Sequence, residues 1–318
     1  MSLSRRALLQ LGMTAIAAGA MPVRAFAKTQ GAFFDQHQLP IGLQLYTVGD
    51  FAGSDLDGTL KKIAGIGYKS IELAGFHGHT ASEVRASADK AGLKLTSIHI
   101  GGQARGDAPS LSGDLARLAA DVHTLGATDI VMPFFIIPER MPTKGADEPF
   151  PAYIKRILGQ MTVDDWKRNA AFLNEKSVSL KREGLRLGYH NHNCEFAPVG
   201  NTTGFDIIAS ETDPNSVALE MDVGWVRAAG LDPLAVLKRY PKRFQLMHVK
   251  DVRASTQSNF VLTQDPTEVG RGIIDWKTLL PAAYAAGVRK FFVEQEPPFE
   301  KDKFAAIADS YKFLSTNV

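Results

Sequence analysis

Residues 184–196 read GLRLGYHNHNCEF: a glycine, a short apolar run from Leu185, then two histidines, two asparagines and a carboxylate in close succession. A run of that length bounded by Gly184 predicts a buried strand over Leu185 to His192, and its polar end marks where the strand leaves the packed core. Working outward, seven further runs have the same character: Ile41 to Val48 (IGLQLYTV), Ser70 to Leu73 (SIEL), Leu93 to Ile100 (LKLTSIHI), Asp129 to Pro133 (DIVMP), Val217 to Asp222 (VALEMD), Phe244 to Lys250 (FQLMHVK) and Lys290 to Glu296 (KFFVEQE). Longer amphipathic stretches separate them. Thr80-Ala-Ser-Glu83 is a capping box, Thr162 with Asp165 opens another helix, and Gly67, Gly92, Gly126, Gly184 and Gly287 each stand just before a strand, where a left-handed residue closes the preceding helix. Eight such units over roughly 280 residues predict an α/β fold, a single-domain (β/α)8 barrel. An open doubly wound sheet would want a GxGxxG turn after the first strand, where Tyr46-Thr-Val-Gly-Asp50 stands instead.

The 318 residues are 45% hydrophobic, enough for a large core, and the formal charge of +2 comes without a dense Lys/Arg block. Nucleic acid is therefore a poor candidate partner. A lone cysteine, Cys194, excludes an internal disulfide framework and any CxxC metal or redox site. The first residues differ in kind. Arg5 and Arg6 precede the apolar run Leu11 to Ala20, and Ala25-Phe26-Ala27 offers a small-x-small cleavage site. The run is too short to span a bilayer, so the expectation is a cleaved twin-arginine export signal over 1–27, a linker over 28–38 and the barrel over 39–318. The mature protein would then be periplasmic or otherwise exported, with no membrane association after cleavage, and a homo-oligomer stays open. Two segments, Phe134 to Gln160 and Arg253 to Ile274, exceed ordinary loop lengths, and loops that follow barrel strands form the face where sites are built.

Polar residues gather at the C-terminal ends of the runs: Glu72, His99, His190 and His192, Glu220 and Asp222, His248 and Lys250, Glu294 and Glu296. With period two along a strand, each of the last four pairs projects to one side. If that side is the interior, so many buried carboxylates and imidazoles call for pairing or a cation, which argues for one divalent metal, Mn, Zn, Mg or Co. Glu72 reads as a helix N-cap partner or a substrate contact, His99 as a core histidine or a site residue, and Lys250-Asp251 as a surface ion pair or part of catalysis. Trp225, Phe134 and Phe135 are the aromatic residues placed to stack on a sugar or simply to pack.

Asp222-Val-Gly-Trp225, His248-Val-Lys-Asp251, Gly270-Arg-Gly-Ile-Ile-Asp275-Trp276 and Val293-Glu-Gln-Glu296, with the opening Ile41 to Tyr46 and Gly67 to Leu73, resemble the xylose isomerase-like TIM-barrel family, the sugar phosphate isomerase/epimerase group. The resemblance implies one metal held by a Glu, an Asp, a His and a Glu on strands five to eight. Asp222, His248 and Glu294 match three of these. The strand-five position departs from the pattern: His190 replaces the glutamate, with Glu195 as the rival that would reach back from the loop.

What the resemblance implies chemically is an enediolate stabilised by the metal, with a proton moved by Glu195, Glu296 or His192 and with Lys250 nearby. The expected activity is isomerisation or epimerisation of an unphosphorylated sugar or sugar derivative. The alternative is a lyase or dehydratase on a keto-sugar or keto-glycoside, and outside enzymes a non-catalytic periplasmic carbohydrate-binding protein. A nuclease is disfavoured by the missing basic groove.

Overall fold

The computed structural model describes residues 32–104 and 106–318. The expected export signal lies outside the described residues. Eight parallel strands, β1 (Gly42–Gln44), β2 (Ser70–Ala74), β3 (Lys94–His99), β4 (Asp129–Met132), β5 (Arg186–His190), β6 (Val217–Asp222), β7 (Phe244–Val249) and β8 (Lys290–Val293), follow one another around a closed barrel. Gly42 of β1 pairs with Phe292 of β8 on one side and Ser70 of β2 on the other, which closes the ring. Among the described residues, no helix is long and apolar enough to cross a membrane.

The expected helix signals are where the sequence placed them. Thr80 with Glu83 and Thr162 with Asp165 form reciprocal capping boxes, and all five pre-strand glycines have positive φ.

Alternation along the strands sorts the barrel interior into levels. At the entry ends, Asp129 pairs with Arg186 and Lys290. Above them Val131, Ala218, Leu246 and Phe292 form a small apolar cluster, distinct from the main core. Gly42 makes room for this plug, since a Cβ there would lie 2.5 Å from Phe292 Cδ1. Two residues beyond Ala218, Leu246 and Phe292 stand Glu220, His248 and Glu294, and the site begins there.

The segment expected to be a linker, 28–38, is in part structural. Phe33–Gln36 form a helical turn whose Phe33 and Phe34 are buried edge-on against Phe291, with ring centroids 5.8 and 5.7 Å away. The Phe33 amide also donates to the Val318 carbonyl at 2.7 Å. So short a turn carries no periodic signal, and its partners lie at the other end of the chain.

The two long loops acquire structure of their own. The first contains the helix Phe150–Leu158, and in the second Pro266–Thr267 pairs antiparallel with Asp251–Val252, which directly precede the loop. Asp251 is buried and makes no surface ion pair. Its carboxylate accepts from the amides of Gly270, Gly272 and Ile274 and from Trp276 Nε1 at 2.9–3.3 Å, and a Cβ on Gly272 would lie 2.1 Å from Asp251 Oδ1. The Gly270-Arg-Gly272 turn and Asp251 are thus one clamp holding the loop to the end of β7.

Candidate metal centre and active site

Inward-facing residues from six strands meet above the apolar plug. Glu220 Oε2 on β6 is the hub: His99 Nε2 lies 2.9 Å away, His190 Nδ1 3.0 Å and His248 Nε2 3.3 Å. Glu72 Oε1 on β2 stands beside it, 2.6 Å from His248 Nε2, 3.1 Å from His99 Nε2 and 2.9 Å from the Gln44 amide on β1. Glu72 is fully buried and caps no helix. Burial and the neighbouring Glu72 push the Glu220 carboxyl up to about 7 against the pull of His248 and His99. Burial works the same way on Glu72, but His99 and His248 hold it well below the carboxylate range. His99, resisting its own burial, is lifted to about 9 by Glu72 and Glu220.

A second group lies nearer the mouth. His248 turns Nδ1 toward Glu294 Oε2 at 2.9 Å and Asp222 Oδ2 at 3.6 Å. Lys250, fully buried, sets Nζ 2.8 Å from Asp222 Oδ2, 2.7 Å from Glu294 Oε2 and 2.8 Å from Glu296 Oε1, with the Trp225 ring 5.1 Å away. Burial disfavours its charge, yet the three carboxylates keep it protonated.

Among the described residues, two sets have metal-ligand spacing: His99, His190, Glu220 and His248, and Asp222, His248 and Glu294. The four expected ligands are therefore split. His190 joins the deeper set, and its Nε2 is 3.9 Å from Asp222 Oδ2. The chemistry fits a divalent ion, because Glu72 Oε2 and Glu220 Oε1 are buried with no hydrogen-bond partner. Glu220 was visible as a strand-end acid, but spacing alone did not give it a role.

The strand-five loop resolves into two directions. Tyr189, one residue before inward-facing His190, points out of the barrel and donates to Glu195 Oε1 at 2.9 Å. The other Glu195 oxygen accepts from the His192 amide at 2.9 Å and from Cys194 Sγ at 3.3 Å. Glu195 belongs to neither ligand set, and burial raises its carboxyl to about 7. His192 faces inward beside Phe134 and Trp225, with ring centroids 5.4 and 5.6 Å away. Its Nδ1 is buried and unpartnered, and burial with the nearby Lys250 charge lowers it to about 3, so it is neutral.

These groups open into a cavity of about 970 Å³. His99, His190, His192, Glu294 and Glu296 reach it, and Tyr46, Phe134, Phe135, Phe150, Trp225 and Leu262 supply apolar wall, the last from the second long loop. Among the described residues, which do not include Arg105, its lining has no lysine or arginine. Burial first, then Lys250 opposed by Glu294, leaves the Glu296 carboxyl raised.

A barrel whose strand ends carry this cluster defines a class before it defines a reaction. The profile of the xylose isomerase-like TIM barrel family matches residues 60–316, and the chain belongs to that family. An inosose dehydratase of Geobacillus kaustophilus (strain HTA426) is 27% identical over 202 residues, 62% of each chain. Another, of Lacticaseibacillus casei, is 29% identical over 174 residues, 49% of this chain and 57% of the relative. The chain thus spans less than two thirds of the length of these curated relatives. A solved sugar phosphate isomerase/epimerase from Parabacteroides distasonis ATCC 8503 superposes with a TM-score of 0.67 at 25% identity, covering 86% of this chain and 96% of that one. The IOLI protein, solved with a bound zinc atom, shares the fold with a TM-score of 0.60 at 16% identity over 87% of this chain and 98% of that one.

Proposed function

We propose that this chain removes the proton beside the carbonyl of an unphosphorylated, sugar-derived ketone and then expels a β-oxygen substituent, as a dehydratase or lyase does. The observation that carries this reading is His192, a neutral imidazole with a free buried nitrogen, set at a cavity floor beside a carboxylate–histidine cluster fit for a divalent ion. Such an ion would supply Lewis-acid polarisation of the carbonyl. His192 is the imidazole beside the cluster left free to take the proton, since those of His99, His190 and His248 are engaged with carboxylates. Glu296, raised toward its protonated form and 2.8 Å from Lys250, is the group at the cavity wall that can return a proton to a departing oxygen. The aromatic walls exclude water and offer faces for a ring and its substituent.

The absence of lysine and arginine from the described lining favours an unphosphorylated substrate, and a volume near the upper end of ordinary ligand pockets leaves room beyond one ring. The names of the curated relatives favour elimination over the isomerisation that the resemblance put first. Isomerisation or epimerisation is the second reading, supported by the name of the structural neighbour from P. distasonis. Export through the twin-arginine segment is part of the proposal, and it agrees with an unphosphorylated substrate.

The test follows inososes and 3-keto-glycosides in D₂O by NMR with the metal-loaded chain. Release of water or aglycone is expected. Exchange of the α-proton without elimination would move the reading to isomerase or epimerase, and neither event in any of these compounds would sink it.

A further inference from the structure

We propose that the part of the cavity over the loops after β2, β3 and β4 is a subsite for an aryl leaving group, and that Phe76, Phe134 and Phe150 select for it. This rests on the elimination reading above and deepens it: the substrate is a keto-sugar whose β-oxygen carries an aromatic ring, and the reaction is that of a lyase. The bond from the α-carbon to hydrogen breaks and its proton goes to the base. A C=C bond forms toward the carbon bearing the aryl oxygen, the C–O bond breaks, and its electron pair leaves with that oxygen, which is released as a phenol once protonated. No oxidant, reductant or second substrate is needed.

The two sides of the cavity differ in chemistry. From β5 to β8 and their loops come His190, His192, Trp225, Leu262, Glu294 and Glu296. That side holds the proton acceptor His192 and the carboxylates of Glu294 and Glu296, so the reacting carbons belong there. Most of the lining comes from the other side: residues 74–79 after β2, 100–103 and 107–109 after β3, and 133–136 with Phe150 after β4. A volume of about 970 Å³ suits a drug-sized ligand and exceeds what one sugar ring fills. Phe134 joins the two sides, with its ring centroid 5.4 Å from that of His192 and 4.4 Å from that of Phe135. A substituent beside the carbon that His192 deprotonates therefore borders the phenylalanine wall.

That wall suits a flat apolar group. Phe76, Phe134, Phe135 and Phe150 line it, and Tyr46 and Phe150 are left 54% and 48% exposed. A ring laid against them removes apolar surface from water, and aromatic pairs gain beyond the area they bury. Among the described lining residues, three side chains have a buried polar atom without a partner: His192 Nδ1 and Trp225 Nε1 on the reacting side, and His77 Nε2 on the far side. A second sugar would bring several hydroxyls against phenylalanine, where an unpaired hydroxyl costs free energy, whereas an aryl ring brings no such demand. The loop after β2 is also preformed. His77 is held in the left-handed region, with φ 51°, and a Cβ on Gly49 would lie 2.8 Å from His77 Cε1, so that glycine leaves the space its ring fills. A non-glycine residue persists there only where its surroundings over-determine it, which fixes Phe76 beside it without a ligand.

The experiment measures calorimetric binding of phenyl and methyl β-glucosides to the full-length chain, and kcat/KM of the metal-loaded chain for their 3-keto derivatives. The phenyl glucoside should bind about tenfold more tightly than the methyl one. In Phe150→Ala and Phe76→Ala the phenyl-over-methyl ratio, in affinity and in kcat/KM, should fall about fivefold. Taking the ratio of ratios cancels the different leaving abilities of phenol and methanol. A phenyl glucoside that binds no more tightly than the methyl one, or a ratio unchanged in both variants, overturns the proposal. Cellobiose binding more tightly than the phenyl glucoside would give the subsite to a second sugar and overturn the aryl assignment. Thermal unfolding checks the fold of each variant, and the wild-type comparison needs no variant. Elimination without a phenyl preference leaves the proposed function standing and removes this subsite. A phenyl preference that is lost in Phe150→Ala, with elimination from neither keto-glucoside, removes the proposed function and leaves the aryl subsite.

Discussion

The phenol of Tyr189 donates a 2.9 Å hydrogen bond to Glu195, across the outer side of the strand whose inner side carries His190. One residue of offset thus separates a structural carboxylate from the cluster that could hold a metal ion.

Glu195 should leave a signature in stability against pH. Burial raises its folded pKa to about 7, above the ordinary value of 4.5, so the folded state binds this proton more tightly than the unfolded chain. The group's contribution is therefore fully present below pH 4.5 and is lost as pH rises to about 7, by on the order of 3 kcal/mol. In Glu195→Gln that loss is absent. The melting temperature of the variant relative to wild type should climb across this window, and a difference that stays flat from pH 4 to about 8 would show that Glu195 does not titrate there.

His192→Ala should reduce turnover by about 10²–10⁴-fold through loss of the proton acceptor. Zinc affinity should stay within about tenfold, because the residue belongs to neither ligand set. Turnover within a few fold of wild type would remove His192 from the chemistry.

Asp251→Ala would leave the amides of Gly270, Gly272 and Ile274 and the Trp276 indole without their acceptor. A loss of about 3–5 kcal/mol is expected in denaturant unfolding, with faster amide exchange over residues 268–276. Unchanged exchange in that segment would mean that the clamp does not hold the loop.

Phe34→Ala should cost about 3–4 kcal/mol although it falls in a stretch that reads as a linker, since the ring is buried against Phe291. Thermal unfolding of the variant reads this directly. A melting temperature equal to wild type would return the segment to linker status.

Local information in the sequence carried the barrel. Gly184, the capping box at Thr162 and the alternation of Leu187, Tyr189 and Asn191 with Gly188, His190 and His192 act within a few residues, so the helix ends, the strand and the inward placement of both histidines were legible. The same alternation brought Asp222, His248, Lys250 and Glu294 to one end of the barrel. Which of them share a ligand set depends on distances between strands far apart in the chain, and no spacing encodes those. Tertiary packing alone set three imidazoles around Glu220 and turned Glu195 toward Tyr189. It also seated the Lys250 stem against Gly224 and folded Phe33 and Phe34 onto Phe291. The physical reason is that strand periodicity is a property of neighbouring residues, whereas the partner of a buried charge is chosen by which groups the closed barrel brings within about 3 Å.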